Sequence, residues 1–247
     1  MTLIGKESGL VLVVIPARGG SKGIPRKNLR EVHGKSLTEW AVISAGRIPF
    51  EKRVIVSSDD REILAIASKY EFAEPSIRPN YLAQDRVADY QVLRFEMARF
   101  EEKYFTKATC IVMIQPTSPI RNPETVNACI SSVLSGENSS AWTVMEVPTK
   151  FHPRKQLRVI EDKLELFLES PLVVGRQELD STFIRTGVCY AISRETLLND
   201  EKLLGHNSRP IVCNWPHANV DDLNDLHEAE KLTVEYDGTL IPKGVLL

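Results

Sequence analysis

Arg18, Lys22, Arg26 and Lys27 are interleaved with Gly19, Gly20 and Gly23 in the stretch Val13-Val14-Ile15-Pro16-Ala17-Arg18-Gly19-Gly20-Ser21-Lys22-Gly23-Ile24-Pro25-Arg26-Lys27-Asn28. Glycine lets backbone N–H groups approach an anion with no side chain in the way, and the four cations add positive charge at the same place. Chemistry of that kind is phosphate binding. The apolar run just before the loop reads as a strand, so the anion site follows the first strand of the fold.

The loop is neither of the two common phosphate motifs. A P-loop needs G-x-x-x-x-G-K-[ST], and Lys22-Gly23-Ile24 does not supply it. A dinucleotide fingerprint needs G-x-G-x-x-G, and Gly19-Gly20-Ser21-Lys22-Gly23 lacks that spacing. Pro25 disfavours helical backbone at Ile24, so an extended basic loop, not a helix N-terminus, is expected to wrap the phosphates. The bland alternative is a surface turn carrying solvated lysines.

Stepping outward, strands and helices alternate. Leu10–Ile15, Arg53–Ser57, Thr109–Ile114 and Ala141–Val147 read as strands, the first a continuous apolar run buried on both faces. Ser36-Leu37-Thr38-Glu39 matches a capping box ahead of a helix through Ile48. Asp59 or Asp60 caps a helix to Tyr70. Ala88–Tyr104 reads as a long amphipathic helix, and Asn122-Pro123 opens another to Leu134. Asp221–Tyr236 reads as a late helix. Alternation of this type implies an α/β fold of three layers, with a mostly parallel central sheet covered by helices. Ligands of such sheets sit where loops leave the carboxyl ends of strands. The basic loop, the Ser57-Ser58-Asp59-Asp60 turn and the Gln115-Pro116-Thr117-Ser118-Pro119 turn are therefore expected to share one crevice. Residues 148–186 break the rhythm, with Leu157–Ile160 and Leu164–Leu168 as a hairpin. They read as an insertion that packs against a second subunit, within a single domain spanning 1–247.

Composition narrows the class. At 247 residues, with 43% hydrophobic and 26% charged residues, the chain suits one globular domain with a sizeable core. A formal net charge of −2 provides no global field for nucleic acid, so the local cations favour a small anionic ligand. Cys110, Cys129, Cys189 and Cys213 show no C-x-x-C spacing, which argues against a zinc knuckle or redox motif. The N-terminus lacks a signal-peptide pattern and no apolar run approaches membrane-spanning length, so a cytoplasmic protein without membrane contact is expected.

Separated motifs, taken together, resemble one family. Ile15-Pro16-Ala17-Arg18-Gly19-Gly20-Ser21-Lys22-Gly23 with Lys27-Asn28 is similar to the opening loop of the CMP-sialic acid synthetases, or acylneuraminate cytidylyltransferases. Arg78-Pro79 with Leu82-Ala83-Gln84-Asp85 resembles the second motif, and Gln115-Pro116-Thr117-Ser118-Pro119-Ile120-Arg121 the third. Arg176-Gln177-Glu178-Leu179 and Gly187-Val188-Cys189-Tyr190 resemble the fourth. Asn219-Val220-Asp221 with Asp225-Leu226 stands where that family carries paired metal-binding aspartates. The likeness covers residues 10–232, and the sibling CMP-octulosonate synthetases, whose opening loop lacks Gly-Gly-Ser-Lys-Gly, fit less well.

The resemblance implies a homodimeric cytidylyltransferase that joins CTP to a keto-deoxy sugar acid and releases pyrophosphate. Transfer of this kind needs positioning and charge neutralisation more than covalent chemistry. Arg18, Lys22 and Asp221 would be catalytic. Arg18, Gly19, Gly20, Ser21, Lys22, Lys27, Asn28, Arg78 and Asp85 would bind the nucleotide. Gln115, Lys155, Arg176, Arg185 and Thr186 would lie at the sugar acid, whose carboxylate suits a bidentate arginine. Asp221 and Asn219 would hold Mg, which favours carboxylate and phosphate oxygens. Each residue has a plainer alternative: Asp85 and Asp221 suit helix N-caps, Lys155 suits a solvated hairpin, and the Gln115 turn suits a proline-shaped bend. Two positions depart from the family pattern. Asn219 replaces an aspartate, which removes a negative charge from the metal pair. Thr186 replaces an asparagine of the sugar pocket, which opens the choice of sugar acid. Lost catalysis in a nucleotide-binding relative, or transfer from another nucleoside triphosphate to another sugar, are the competing functions.

Overall fold

The computed structural model describes residues 9–168, 175, 177 and 179–244. The elements run β1 (Val11–Pro16), β2 (Glu31–Val32), β3 (Lys35–Ser36), α1 (Leu37–Gly46), β4 (Lys52–Ser58), α2 (Arg61–Ala67), β5 (Ala73–Ile77), α3 (Asp89–Tyr104), β6 (Cys110–Met113), α4 (Pro123–Leu134), β7 (Ser140–Glu146), β8 (Leu157–Ile160), β9 (Lys163–Leu166), β10 (Phe183–Ser193), α5 (Arg194–Asn199), β11 (Ser208–Val212), α6 (Leu223–Leu232), β12 (Thr233–Tyr236) and β13 (Thr239–Pro242). Contacts divide the chain into a larger unit, 1–143 with 186–247, and a smaller one, 144–185.

A seven-stranded sheet of order β11-β7-β10-β6-β1-β4-β5 forms the frame. β1 pairs in parallel with both β4 and β6, β4 pairs in parallel with β5, and β10 runs antiparallel to β6. The period-2 pleat explains why β1 is apolar at every position. Val11, Val13 and Ile15 enter one core with Ala41 and Val42 of α1 and Val126 and Ile130 of α4. Leu12 and Val14 enter the opposite core with Leu93, Met97 and Phe100 of α3 and Leu197 of α5. Both faces are thus covered, and the three-layer expectation holds.

Local chemistry sets the helix starts. The Ser36 hydroxyl accepts from Glu39 N at 3.1 Å, Asp60 accepts from Glu62 N at 2.8 Å, and Asn122 accepts from Glu124 N at 2.8 Å. Three expectations need correction. Asp85 caps no helix: α3 begins after Ala88, whose N–H donates to the Gln91 side chain at 3.1 Å. Asp221 is not the cap of α6 either, because Asp222 accepts from Asn224 N and Asp225 N at 2.7 and 3.0 Å. The late helix stops at Leu232. Residues 233–236 instead form β12, which pairs with β13 across an Asp237-Gly238 turn whose two φ angles are +46° and +67°. Positive φ at both central residues is the hairpin turn that Asp-Gly favours, and Thr233 and Val234 are β-branched, so turn chemistry overrides the helical period.

In the smaller unit, β8 and β9 form the expected hairpin, with Arg158 and Glu165 paired across it at 3.1 Å. Leu157, Val159, Leu164 and Phe167 are all exposed there.

Candidate active site

The basic loop is held from below by apolar packing and from both sides by hydrogen bonds. Ile24 is buried in a third core with Val32, Leu37, Trp40, Ile120 and Val220. Buried Asn28 donates to the Arg18 carbonyl at 2.9 Å, which ties the two ends of the loop together. Thr38 in turn donates to the Asn28 carbonyl at 2.8 Å. Gly19 N donates to Asp59 at 2.8 Å, and a Cβ at Gly19 would lie 2.8 Å from that of Asp60. A Cβ at Gly23 would fall 2.6 Å from the Asp221 carbonyl oxygen. Two of the loop glycines are therefore required by close approach of other chain segments. No long helix follows, only a single 3-10 turn at Lys27–Leu29.

Three strand-end segments converge on a cavity of about 270 Å³, lined by Arg18, Gly20, Ser21, Lys27 and Asn28 from the loop, by Arg78, Gln84, Asp85 and Asp89, and by Gln115, Pro116 and Thr117. The Ser57–Asp60 turn does not line it. Its side chains steady the loop instead, Asp59 through Gly19 and Asp60 through Arg26. Arg26, counted in sequence among the phosphate-facing cations, points to Asp60 and Glu62 at 2.8 and 2.9 Å.

Asp85 sits between two loop cations. Its carboxylate meets Arg18 at 2.7 Å and Lys22 at 2.6 Å, and the Lys22 and Arg18 hydrogen bonds hold its pKa below the usual carboxylate value. A side-chain carboxylate thus occupies both of these loop cations. Asp85→Asn is expected to tighten binding of inorganic triphosphate about fivefold, because exposed ion pairs of this kind compete weakly but measurably. Isothermal titration reads this directly, and weaker binding by the variant would show instead that Asp85 contacts the ligand.

Arg78 is buried and donates to the Ser57 hydroxyl at 3.1 Å and the Ser57 carbonyl at 2.8 Å. Burial lowers its pKa, and the charges of Glu96, Asp59 and Asp89 oppose that shift. Glu96, fully buried on α3, accepts from Ser57 and Ser76 at 2.5 and 2.7 Å. A carboxylate among Val92, Leu93, Met97 and Phe100 on an otherwise apolar helix face was the one signal in the sequence for this buried support.

On the far side of the loop, Lys27 meets Asp221 Oδ1 at 2.9 Å, and the Asn219 amide donates to Asp221 Oδ2 at 2.8 Å. Val220 N donates to the Thr117 carbonyl at 2.8 Å, which fixes Asp221 beside the Gln115 turn. The Asn219 oxygen faces the Ser118 hydroxyl at 3.4 Å, so it is turned from Asp221. Among the described residues no group of three or more His, Cys, Asp or Glu is poised for a metal. A single exposed carboxylate still fits Mg, which takes one or two protein carboxylates and completes its shell with substrate phosphates and water.

The expected sugar-side residues divide. Gln115 lines the cavity. Thr186 does not: it is buried, and its hydroxyl donates to the Thr143 side chain at 2.8 Å. Its side chain is spent inside the sheet because β10 carries it beside β7, a register the loop motif cannot reveal. Lys155 and Arg185 are exposed residues of the smaller unit, and Arg176 lies outside the described residues. Gln84 and Thr117, named in the motifs without a role of their own, also line the cavity, and so does Asp89, which was not singled out beforehand.

The profile of the family described as Cytidylyltransferase matches residues 12–203. The chain belongs to the cytidylyltransferase family. A CMP-N,N'-diacetyllegionaminic acid synthase of Legionella pneumophila is 32% identical over 219 residues, 85% of this chain and 90% of that protein. A pseudaminic acid cytidylyltransferase of Campylobacter jejuni is 25% identical over 231 residues, 90% of this chain and 95% of its own. A solved CMP-2-keto-3-deoxy-manno-octonic acid synthetase in complex with CTP superposes with a TM-score of 0.67 at 17% identity, over 90% of this chain and 97% of that one, and shows the shared fold. This cytidylyltransferase accordingly keeps its matched region across the loop, Arg78, the Gln115 turn and β10, while Asp221 lies beyond it.

Proposed function

We propose that this cytidylyltransferase joins CTP to a nine-carbon keto-deoxy sugar acid of the legionaminic, pseudaminic or sialic kind. In that reaction the anomeric hydroxyl oxygen bonds to the α-phosphorus, the bond from that phosphorus to the β-bridging oxygen breaks, pyrophosphate leaves and the hydroxyl proton passes to solvent. The reading is carried by the cavity that gathers Arg18, Lys27, Arg78 and the Asp85-bridged Lys22 in a chain 32% identical to a legionaminic acid synthase. Arg18, Lys22 and the loop amides of Gly20 and Ser21 would neutralise the triphosphate, the Gly19 amide being held by Asp59 instead, while Arg78 and Asn28 would bound its nucleoside end and Gln115 would face the sugar acid. Asp221 would hold Mg, which supplies charge neutralisation on phosphate oxygens. Lys155, Arg176 and Arg185 are proposed for the sugar carboxylate on the family resemblance.

The exposed Leu157, Val159, Leu164 and Phe167 of the smaller unit support a homodimer formed through that hairpin. Light scattering is expected to give twice the 27.8 kDa chain mass, and Leu164→Asp to shift it to monomer. No described helix is long and apolar enough to cross a membrane.

The test pairs binding with turnover. CTP should raise the melting temperature more than GTP, UTP or ATP, since only a ligand of the folded state stabilises it. A panel of keto-deoxy sugar acids with CTP and Mg should then release pyrophosphate with one of them. CTP binding without any turnover would favour the second reading, a relative with lost catalysis. That reading draws on Asn219, which places an amide donor against Asp221 where the family carries an aspartate.

A further inference from the structure

Arg121 follows the Gln115 turn and is only 2% exposed. Its guanidinium donates through one terminal nitrogen to the Gln115 carbonyl and through Nε to the Val188 carbonyl of β10 at 3.3 Å, 67 residues further along the chain. The other terminal nitrogen has no partner, and among the described residues Arg121 forms no ion pair. Burial pushes its pKa down to about 9. A buried cation with no counter-charge is costly, and an apolar residue of similar volume is often no worse for stability. What an apolar residue does not provide is a rigid fork spanning two carbonyls from different segments.

The same two segments meet on their other side with no slack. Gly187 has φ +76°, and a Cβ there would lie 2.6 Å from the Gln115 side-chain oxygen and 2.5 Å from the Ser118 hydroxyl oxygen. Ser118 N donates to the Gln115 carbonyl at 3.1 Å, and the Ser118 hydroxyl donates to the Thr186 carbonyl at 2.8 Å. The Gln115 carboxamide is thus seated against strand backbone at a point where only glycine fits.

Resting on the sugar-acid reading of Gln115, we propose that Arg121 is a positioning residue for catalysis: its two carbonyl bonds lock the Gln115 turn to the Gly187–Val188 crossing, so that the Gln115 carboxamide meets substrate in one place. Arg121 touches no substrate itself.

The test is a double-mutant cycle of Arg121→Met and Gln115→Ala, read as kcat and KM for each substrate, with hydrogen exchange of the peptide spanning 114–119. Arg121→Met is expected to lower kcat/KM about tenfold to a hundredfold, in line with loss of charged hydrogen bonds that place a contact group. It should split that loss between kcat and KM as Gln115→Ala does, and cost nothing more in the Gln115→Ala background. Exchange across 114–119 should quicken while α2 exchanges as in the wild type. Arg121→Lys, which keeps the charge but loses the fork, is expected to behave like Arg121→Met and serves in its place if that variant does not fold. A loss of equal size in the Gln115→Ala background, wild-type kinetics, or unchanged exchange would overturn the proposal. If the wild-type protein turns over no sugar acid, the function reading fails, and the exchange result still decides whether Arg121 locks the turn.

Discussion

Asp221→Asn is expected to cut Mg-dependent pyrophosphate release by about a hundredfold to a thousandfold, the range seen when charge stabilisation is removed from a reacting centre. The variant keeps the size of the side chain and can still accept from Lys27, so the fold should survive. What it loses is a carboxylate that meets Lys27 of the basic loop and is fixed beside the Gln115 turn. Calorimetric titration with Mg in the presence of a non-hydrolysable CTP analogue separates metal binding from turnover. Both should fall together, and an Asp221→Asn enzyme with wild-type turnover would end the metal assignment. The reciprocal change is equally informative. Asn219→Asp restores a second carboxylate and is expected to lower the half-saturating Mg concentration about tenfold, since added ligand charge strengthens binding of hard cations. A variant with unchanged Mg dependence would leave Asn219 without bearing on the metal, and with it the lost-catalysis reading.

Gly23→Ala is expected to lower kcat/KM about a hundredfold, with a smaller effect on melting temperature. The added methyl would fall 2.6 Å from the Asp221 carbonyl oxygen. The methyl is fixed rigidly to the loop backbone and the oxygen is itself backbone, so neither can swing aside as the end of a long side chain would. The loop cannot easily retreat, because Ile24 is buried in the core shared with Val220 and Asn28 ties its far end to Arg18. Either the loop or the Asp221 segment must shift, and a displacement near 1 Å in a positioning element costs about a hundredfold in rate. Steady-state kinetics with a melting curve checks this. An active Gly23→Ala enzyme would show that loop and Asp221 need not be held together for turnover.

Much of the frame was legible because its signals are local. The unbroken apolar run of β1 reports burial on two faces, and the caps at Ser36, Asp60 and Asn122 report helix starts through hydrogen bonds that span two or three residues. Errors came where two local signals compete. The apolar spacing after Leu223 extends as a helix on paper, yet Asp237-Gly238 turns the chain and draws residues 233–236 into a strand. Adjacent acidic residues were likewise ambiguous: Asp222, not Asp221, caps α6, which leaves the Asp221 carboxylate free to face Lys27.

The sequence by itself determined that a glycine-rich basic loop follows the first strand, that later motifs come in the order of the cytidylyltransferases, and that an asparagine and a threonine stand at 219 and 186, where the resemblance implies an aspartate and an asparagine. These are properties of residue type and spacing, and folding does not alter them. Only the tertiary structure decided how the charges pair. It turns Arg26 out to Asp60 and Glu62, sets Asp85 between Arg18 and Lys22, and brings Lys27 to Asp221 across 194 residues. It also buries the Thr186 hydroxyl on Thr143 and runs Arg121 between two carbonyls. The reason is physical. A side chain's partner depends on which distant strand ends the sheet order brings together, and on which of them leaves room for it, as Gly23 and Gly187 do.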